Sequence, residues 1–323
     1  MNIKKLAVAA AVMSIGAAGH AQAGALATGL LTISNFALGT STGGGFTAFT
    51  NTQFSSLTIN DNATNTATLN GVSTAQFANS SVLGAPVNAA LACVGVGCVG
   101  IGPNVFVGTP PAPLALFSKS DSNLQGTPIT IVAPSTPAGV LAQTIAETSL
   151  PANGNGSAGS QINLTSTLNF VLGTSISNAA ISFTGADFLN AWTSVGSLPG
   201  TSAGANTAWS INLSGPSGTL ISWTPDGTTG GNHIGLTELT DPCNLTNNVS
   251  ASFNQQLSPV SCTGNFLAVA NGVTLAAGVN YSLNIGHNSQ SNAVSAVPEP
   301  ASLALLGIGF FGFGFASLRK KSA

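Results

Sequence analysis

The segment from Asp226 to Asp241 is the one stretch of this sequence where acidic residues gather around a histidine. It contains Asp226, His233, Glu238 and Asp241, separated mainly by Gly, Thr and Asn. Carboxylates, an imidazole and turn oxygens are the groups that acid–base catalysis or a calcium loop would use. Their spacing matches no metal-ligand motif, and a solvated polar loop is the simpler interpretation. We therefore predict no catalytic residue, no metal and no cofactor, and name these four residues the candidate polar site.

The large aromatic side chains are few and could also form a site. They are Trp192, Trp209, Trp223 and Tyr281. On the surface of a sheet, such rings could stack on sugars and form a carbohydrate platform. Large aromatic side chains are more often buried, so we expect a place in the core. A secreted carbohydrate-binding module or a polysaccharide-acting enzyme remains the alternative function.

The elements that must position these residues follow a two-residue period. Apolar and polar residues alternate most clearly over 56–60, 161–165, 209–213 and 281–285, each bounded by Gly, Asn, Asp or Pro. Alternation of this kind is typical of half-buried strands in antiparallel sheets. The sequence therefore predicts an all-β fold, an antiparallel β-sandwich of jelly-roll-like type.

Two loop-rich segments bear on the domain organisation. Prolines concentrate between residues 103 and 137, and residues 151–160 read PANGNGSAGS. Such composition predicts loops or linkers. We expect one extracytoplasmic domain over 24–296, with two lobes meeting near 150–160 as the alternative.

Four cysteines are present, at Cys93, Cys98, Cys243 and Cys262. An even number in an exported chain favours disulfides. Because the cysteines lie in two clusters, Cys93–Cys98 and Cys243–Cys262 are the favoured pairs among three connectivities.

Charge is scarce and unevenly distributed. Only 4% of the residues are charged, against about 25% in an average chain. Two basic residues open the chain, three close it, and Lys119 alone lies between, among seven acidic residues. Because binding to nucleic acid requires Lys and Arg to neutralise phosphates, this composition excludes it.

The N-terminus has the layout of a secretory signal peptide over residues 1–23. A basic start is followed by an apolar run and by Ala21-Gln22-Ala23, whose small residues signal peptidase reads. We expect cleavage before Gly24.

The C-terminus has the layout of a membrane anchor. Residues 301–318 carry no charge, and as a helix they would span ~27 Å, close to the thickness of a bilayer core. The basic residues Arg319, Lys320 and Lys321 would then stay in the cytoplasm as a stop-transfer signal. This predicts a C-terminal transmembrane helix, with the preceding chain outside the cytoplasm.

The last 27 residues, 297–323, resemble the PEP-CTERM sorting signal. The motif Val297-Pro298-Glu299-Pro300 is followed by the apolar run and a short basic tail at 319–323. The resemblance implies processing by exosortase, a membrane transpeptidase of Gram-negative bacteria that make exopolysaccharide. It also implies an anchored precursor in the inner membrane, and then delivery to the cell surface, outer membrane or extracellular matrix.

These observations combine into one functional hypothesis. The protein is expected to be an exported, non-enzymatic surface or matrix protein, structural or polysaccharide-associated in biofilm. Its partners would be signal peptidase, the exosortase and exopolysaccharide, because an uncharged hydroxyl and amide surface suits a sugar polymer.

Overall fold

The computed structural model describes residues 24–42, 45–108, 115–151 and 156–296. The signal peptide, the sorting motif, the predicted membrane helix and the basic tail lie outside these ranges. Of the residues predicted for those segments, only Gly24 lies inside. Within the described ranges, no helix has both the length and the hydropathy needed to cross a membrane.

Sixteen strands in the described chain form two eight-stranded sheets, and every pairing between these strands is antiparallel. Sheet I has the order β13 (Leu236–Thr240), β15 (Val260–Ala270), β9 (Ala179–Thr193), β1 (Ala25–Thr42), β7 (Val140–Leu150), β6 (Phe117–Gln125) and β5 (Ala92–Val94), with β2 (Gly45–Ala48) also paired to β1. Sheet II has the order β12 (His233–Ile234), β11 (Gly218–Trp223), β10 (Ser202–Gly215), β16 (Asn280–Ser295), β8 (Gly156–Leu172), β3 (Phe54–Leu69) and β4 (Val72–Ser80), with β14 (Asn248–Ser252) also paired to β10.

The two sheets pack face to face, so the predicted antiparallel sandwich is confirmed. In β3, Ile59 and Ala63 are buried between the sheets, whereas Thr58, Asn60 and Asn62 face outward. The alternation of apolar and polar residues in the sequence thus corresponds to the alternation of side chains between the core and the surface. The number of described strands exceeds the eight of a simple jelly roll.

A two-residue turn shows how local sequence sets register. Asn70 and Gly71 join β3 to β4, and both have positive φ, at 51° and 81°. This is the backbone of a type I′ hairpin, for which Asn-Gly is the favoured pair. The turn pairs Leu69 with Val72 and fixes the alignment of every later pair in the hairpin.

One half of the core is aromatic. Phe183 has its ring centroid 4.4 Å from that of Trp209, 5.5 Å from that of Trp223 and 4.7 Å from that of Phe266. Both tryptophans are fully buried, as expected, and replacing either by Ala would cost about 3–5 kcal/mol. Tyr281 is buried too, and its hydroxyl accepts a hydrogen bond from the backbone of residue 276.

A second, smaller core cluster consists of eight alanines and three leucines, and buried Ser and Thr side chains also lie between the sheets. A Cβ placed on Gly29 would lie 2.9 Å from backbone oxygens of Asn206 and Gln290 in the opposite sheet, so the two sheets approach closely there. Thr144 and Ser289 share a hydrogen bond of 2.6 Å across the gap. The sheets therefore approach closely at Gly29, whereas the larger core cluster holds the aromatic side chains.

Both predicted disulfides are present. Cys93 pairs with Cys98 and Cys243 with Cys262, with Cα atoms 5.9 and 6.0 Å apart. The second bridge joins strand β15 to the connection that follows β13. In the chain-entropy model, a loop of this length stabilises the fold by about 3 kcal/mol.

His287 connects the sheets through a buried hydrogen bond. Its Nε2 lies 3.1 Å from the carbonyl oxygen of Leu31 in sheet I, and the ring is fully buried. Burial lowers the pKa of His287 to about 4, against a partial opposing effect from the Leu31 carbonyl.

We therefore expect acid to weaken the fold through His287. Between pH 6.5 and 4, the His287 imidazole is protonated in the unfolded chain but remains neutral in the folded chain. The free energy of unfolding therefore falls as pH falls. At pH 5 the loss relative to pH 7 should be about 2 kcal/mol. Denaturant titrations of wild type and of His287→Gln at both pH values measure it. The variant should lack this component, and an equal pH dependence in both proteins would contradict the assignment.

Candidate functional site

The outer face of sheet II carries an array of uncharged polar side chains, here called the amide–hydroxyl face. It is four strands wide, and its members point away from the core because they alternate with buried residues. They are Thr58, Asn60, Asn62, Thr64, Thr66 and Thr68 on β3; Gln161, Asn163, Thr165, Thr167 and Asn169 on β8; Ser282, Asn284, Asn288, Gln290 and Asn292 on β16; and Asn206, Ser210, Asn212 and Ser214 on β10.

The strand register arranges these side chains in rows across the sheet. One row runs from Thr66 through Gln161 and Gln290 to Asn206. Neighbours within the rows hydrogen-bond, as Asn206 Nδ2 donates to Gln290 Oε1 at 3.1 Å. In another row, the Thr167 hydroxyl donates to Asn284 Oδ1 at 2.8 Å. The face is therefore an ordered lattice of donors and acceptors, spaced by the strand separation of about 4.8 Å.

A groove of about 310 Å³ crosses this face. It is open because Gly159 lies between Thr68 and Asn292 in the same row. Gly204 ends that row and leaves room for the Asn292 side chain, since a Cβ there would lie 2.7 Å from Asn292 Oδ1. The groove is at the lower end of the size range of small-molecule sites.

Phe77 stands at the edge of the amide–hydroxyl face. It lies on β4 opposite Thr64, and 73% of its surface is exposed. A sequence-based search for sugar-stacking residues that is restricted to Trp and Tyr misses Phe77. The alternation within residues 72–80, directly after an Asn-Gly turn, was the available signal. Trp209, Trp223 and Tyr281 are core residues, and Trp192 is half-buried.

The predicted polar site does come together in space. Asp226, His233, Glu238 and Asp241 lie along the lateral edge where the chain passes from β12 in sheet II to β13 in sheet I. His233 Nδ1 lies 3.6 Å from Glu238 Oε1. Among the described residues, no group of three or more His, Cys, Asp and Glu is placed to hold a metal ion.

The acids of this edge bind backbone N–H groups. Asp241 Oδ2 accepts hydrogen bonds from the backbone of Asp226 at 3.1 Å and of Gly227 at 3.2 Å. Glu238 Oε2 accepts one from Gly230 at 2.7 Å. Burial raises the pKa of Asp241, the two backbone donors oppose this, and the charges of Glu238 and Asp226 add to it. These contacts shape the loop between β11 and β13, and the absence of a catalytic role stays a prediction.

A small cavity of about 40 Å³ lies between the sheets, lined by Asp61, Ser166, His287 and mainly apolar residues. The Ser166 hydroxyl donates to Asp61 Oδ1. Burial raises the pKa of Asp61, and this hydrogen bond opposes the rise. The volume has room for roughly three waters, at ~10–15 Å³ each, which is too little for a sugar.

Charged side chains are inside the described part of the molecule. Six of its seven carboxylates and Lys119 are at most 7% exposed, and Asp226 is half-buried. Burial likewise raises the pKa of Asp121 and Asp187. The solvent-facing surface of the described residues is therefore almost free of charge.

Both ends of the described chain lie at one end of the sandwich. The backbone N–H of Gly24 donates to Ser194 Oγ at 2.8 Å, and that of Ala296 donates to Thr201 Oγ1 at 3.2 Å. Ser194 and Thr201 belong to the same connection, between β9 and β10. The strands extend from this end towards the opposite one.

If Asp241 has the structural role described, Asp241→Ala should lower the free energy of unfolding by about 2 kcal/mol, because two backbone donors lose a charged acceptor. Denaturant unfolding at pH 7 measures the change. Thr237→Ala, at an exposed position on β13, the strand that ends just before Asp241, is the control and should change stability by less than about 0.5 kcal/mol. Equal stability of the Asp241→Ala variant and wild type would contradict the structural role.

Comparison with known proteins identifies a known motif in the C-terminal segment of the chain. No curated protein matches the chain. Among solved structures, a chain in the structure of the infectious bursal disease virus Gx strain has 13% identity and a TM-score of 0.12. That alignment covers 87% of this chain and 64% of the viral chain, and nothing below depends on it.

The family model of the PEP-CTERM protein-sorting motif matches residues 296–320. This confirms the resemblance read from Val297-Pro298-Glu299-Pro300 and the residues after it. The match does not extend into the sandwich. This chain therefore carries a PEP-CTERM protein-sorting motif, the signal of an exported protein that exosortase processes at the membrane.

Proposed function

We propose that the protein is a non-enzymatic component of the cell surface or extracellular matrix, and that its amide–hydroxyl face binds neutral polysaccharide in biofilm. The observation that carries the proposal is the uncharged array of Asn, Gln, Thr and Ser side chains across four strands of sheet II. The sorting motif supports it by implying export.

The chemistry of the array suits sugar hydroxyls. Each Asn or Gln amide offers both donors and acceptors, and each Thr or Ser hydroxyl offers one donor and acceptor lone pairs, so either partner can match a sugar hydroxyl. Single hydrogen bonds of this kind contribute only about 0.5–1.5 kcal/mol net. A polymer that runs along several rows makes many of them at once, and a repeating lattice therefore favours a repeating ligand.

The lack of charge favours a neutral ligand. An anionic polymer would need Lys or Arg for pairing, and the described surface exposes none. Phe77 adds the apolar face on which a pyranose ring stacks. The groove over Gly159 offers a depression in the amide–hydroxyl face, four residues along β8 from the row that contains Phe77.

The position of the chain ends suits a protein first held at a membrane. Because Gly24 and Ala296 lie at one end of the sandwich and the strands extend away from it, the amide–hydroxyl face runs along the side of the molecule. We infer that it stays accessible in the anchored precursor as well as after cleavage.

Phe77→Ala should weaken binding to neutral polysaccharide about five- to tenfold, because a stacked ring contributes about 1 kcal/mol beyond its buried area. Gly159→Gln should weaken it further by filling the groove, since Gly159 has an ordinary backbone conformation and an open space above it. Affinity electrophoresis in gels containing glucan, mannan or galactan measures the dissociation constants.

Val195→Ala is the matched control, since Val195 is 77% exposed and lies in the connection between β9 and β10. It should bind as wild type does. Equal binding by wild type, Phe77→Ala and Gly159→Gln would contradict the proposed face. Shortening of the polysaccharide by the wild type, lost in Glu238→Gln, would instead favour the alternative of a polysaccharide-acting enzyme.

The sorting motif predicts a second outcome. Pro298→Ala/Pro300→Ala should leave the protein as an unprocessed precursor in the inner-membrane fraction, whereas the wild type should appear as a shorter form outside it. Immunoblots of fractionated cells measure both size and location. Pro199→Ala/Pro216→Ala, at two exposed prolines of the sandwich, is the control and should behave as wild type. Identical size and location for the motif variant and wild type would contradict recognition of the motif.

A further inference from the structure

The single lysine of the sandwich, Lys119, is buried. Lys119 Nζ is 2.8 Å from Glu147 Oε2, and the two side chains are 4% and 0% exposed. No other Lys or Arg occurs between residues 6 and 318. Lys119, the one basic residue in this long stretch, therefore lies against a buried carboxylate.

Strand pairing fixes this contact. Lys119 on β6 is directly opposite Glu147 on β7, and on its other side it is opposite Cys93 on β5. Paired residues of an antiparallel sheet point to the same face, so Cys93, Lys119 and Glu147 share the outer face of sheet I. The Phe117 ring lies on that face, with its centroid 5.7 Å from Lys119 Nζ.

Residues 104–108, in the described part of the connection after β5, lie over this part of the sheet. The backbone N–H of Asn104 donates to Asp121 Oδ2 at 2.5 Å, and Gly108 lies against the side chains of Thr28 and Phe188. Asp121 follows Lys119 by two residues, faces the same side and is fully buried. The result is a buried site that holds an amine and two carboxyl groups beside the Phe117 ring, with Thr28 opposite Glu147 on its other side.

An ion pair in such a place is costly. Removing a carboxylate and an ammonium group from water costs several kcal/mol for each ion, and their attraction only partly offsets this. Transfer of one proton from Lys119 to Glu147 produces a neutral amine beside a neutral carboxylic acid. Those two species are the reactants of amide formation, and the fold already holds them in contact.

We propose that Lys119 and Glu147 condense into an intramolecular isopeptide bond that links β6 to β7. Nζ of the neutral amine attacks Cδ of the protonated Glu147 carboxyl group, and the Nζ–Cδ bond forms. The amine then loses a proton, one carboxyl oxygen gains it, and the Cδ–O bond breaks to release water. The ammonium and carboxylate are replaced by one amide and one water, so atoms, charge and electrons balance without a co-reactant.

Two physical effects favour the reaction at this site. Reacting groups that are held in contact react as if at very high concentration, because folding has already brought them together. The product carries no charge and so ends the cost of burying two ions.

Asp121 is the positioning acid of the site. It lies at the next outward position on β6, near enough for the Lys119 charge to act on it, and in the proposed reaction it moves the proton from nitrogen to the leaving oxygen. Burial raises the pKa of Asp121, against the opposing effects of the Asn104 and Ser122 backbone donors and of the Lys119 charge. This favours the protonated form that such a role requires.

The scarcity of basic residues gives a decisive test. Lys119 is the one site at which trypsin can cut between Lys5 and Arg319, and an amide on its side chain blocks that cut. We expect the full-length protein, purified in detergent, denatured and reduced, to survive trypsin as one long fragment. Its mass should be lower by one water than the sum of its residues, and fragmentation should place the amide between Lys119 and Glu147.

Lys119→Arg is the matched control, because Arg keeps the charge and the tryptic site but does not form the amide. It should be cut into two fragments, as should Glu147→Leu, and Asp121→Asn should give a mixture that shifts towards the uncut form with time. Complete cleavage of the wild type at Lys119, with an unmodified mass, would overturn the proposal. Linkage of Lys119 to any residue other than Glu147 would also overturn it. Neither result bears on the polysaccharide face, which lies on the other sheet.

Discussion

The pairing of long antiparallel strands, with side chains that alternate between two faces, is the constraint on which this structure depends. β16 keeps one register with β8 along its whole length, whereas a bulge between Ile33 and Phe36 interrupts the pairing of β1 with β7. Between such irregularities, each position is committed to the core or to solvent. In β3, the residues that contact sheet I and those that form the amide–hydroxyl face are one position apart. The same two-residue alternation therefore determines both which side chains pack in the core and which form the surface.

The alternation made much of the fold predictable. Segments such as 161–165 indicated half-buried strands, and they are central strands of sheet II. The burial of Trp209 and Trp223 followed from their size, and the disulfides followed from the spacing of the cysteines. Each of these inferences rests on local pattern or on the cost of exposing apolar surface, which a single sequence contains.

What the sequence could not reveal depends on non-local pairing. Lys119 and Glu147 are 28 positions apart, and only the β6–β7 register places them in contact. Phe77 gained a possible role only because β4 extends the face formed by β3, β8, β16 and β10. The four residues of the polar site are close in the sequence, and the structure also places them along one edge. Their use as acceptors for backbone N–H groups depends on a loop path that composition alone does not determine.

The interior position of the charges has a consequence for how the protein meets its surroundings. A surface with almost no ionised groups has little field to screen, so changes in ionic strength should alter its contacts far less than those of an ordinary acidic or basic protein. Copies of it repel one another only weakly and can be crowded together at high density. At low and at high ionic strength alike, such a molecule would present the same surface to its neighbours.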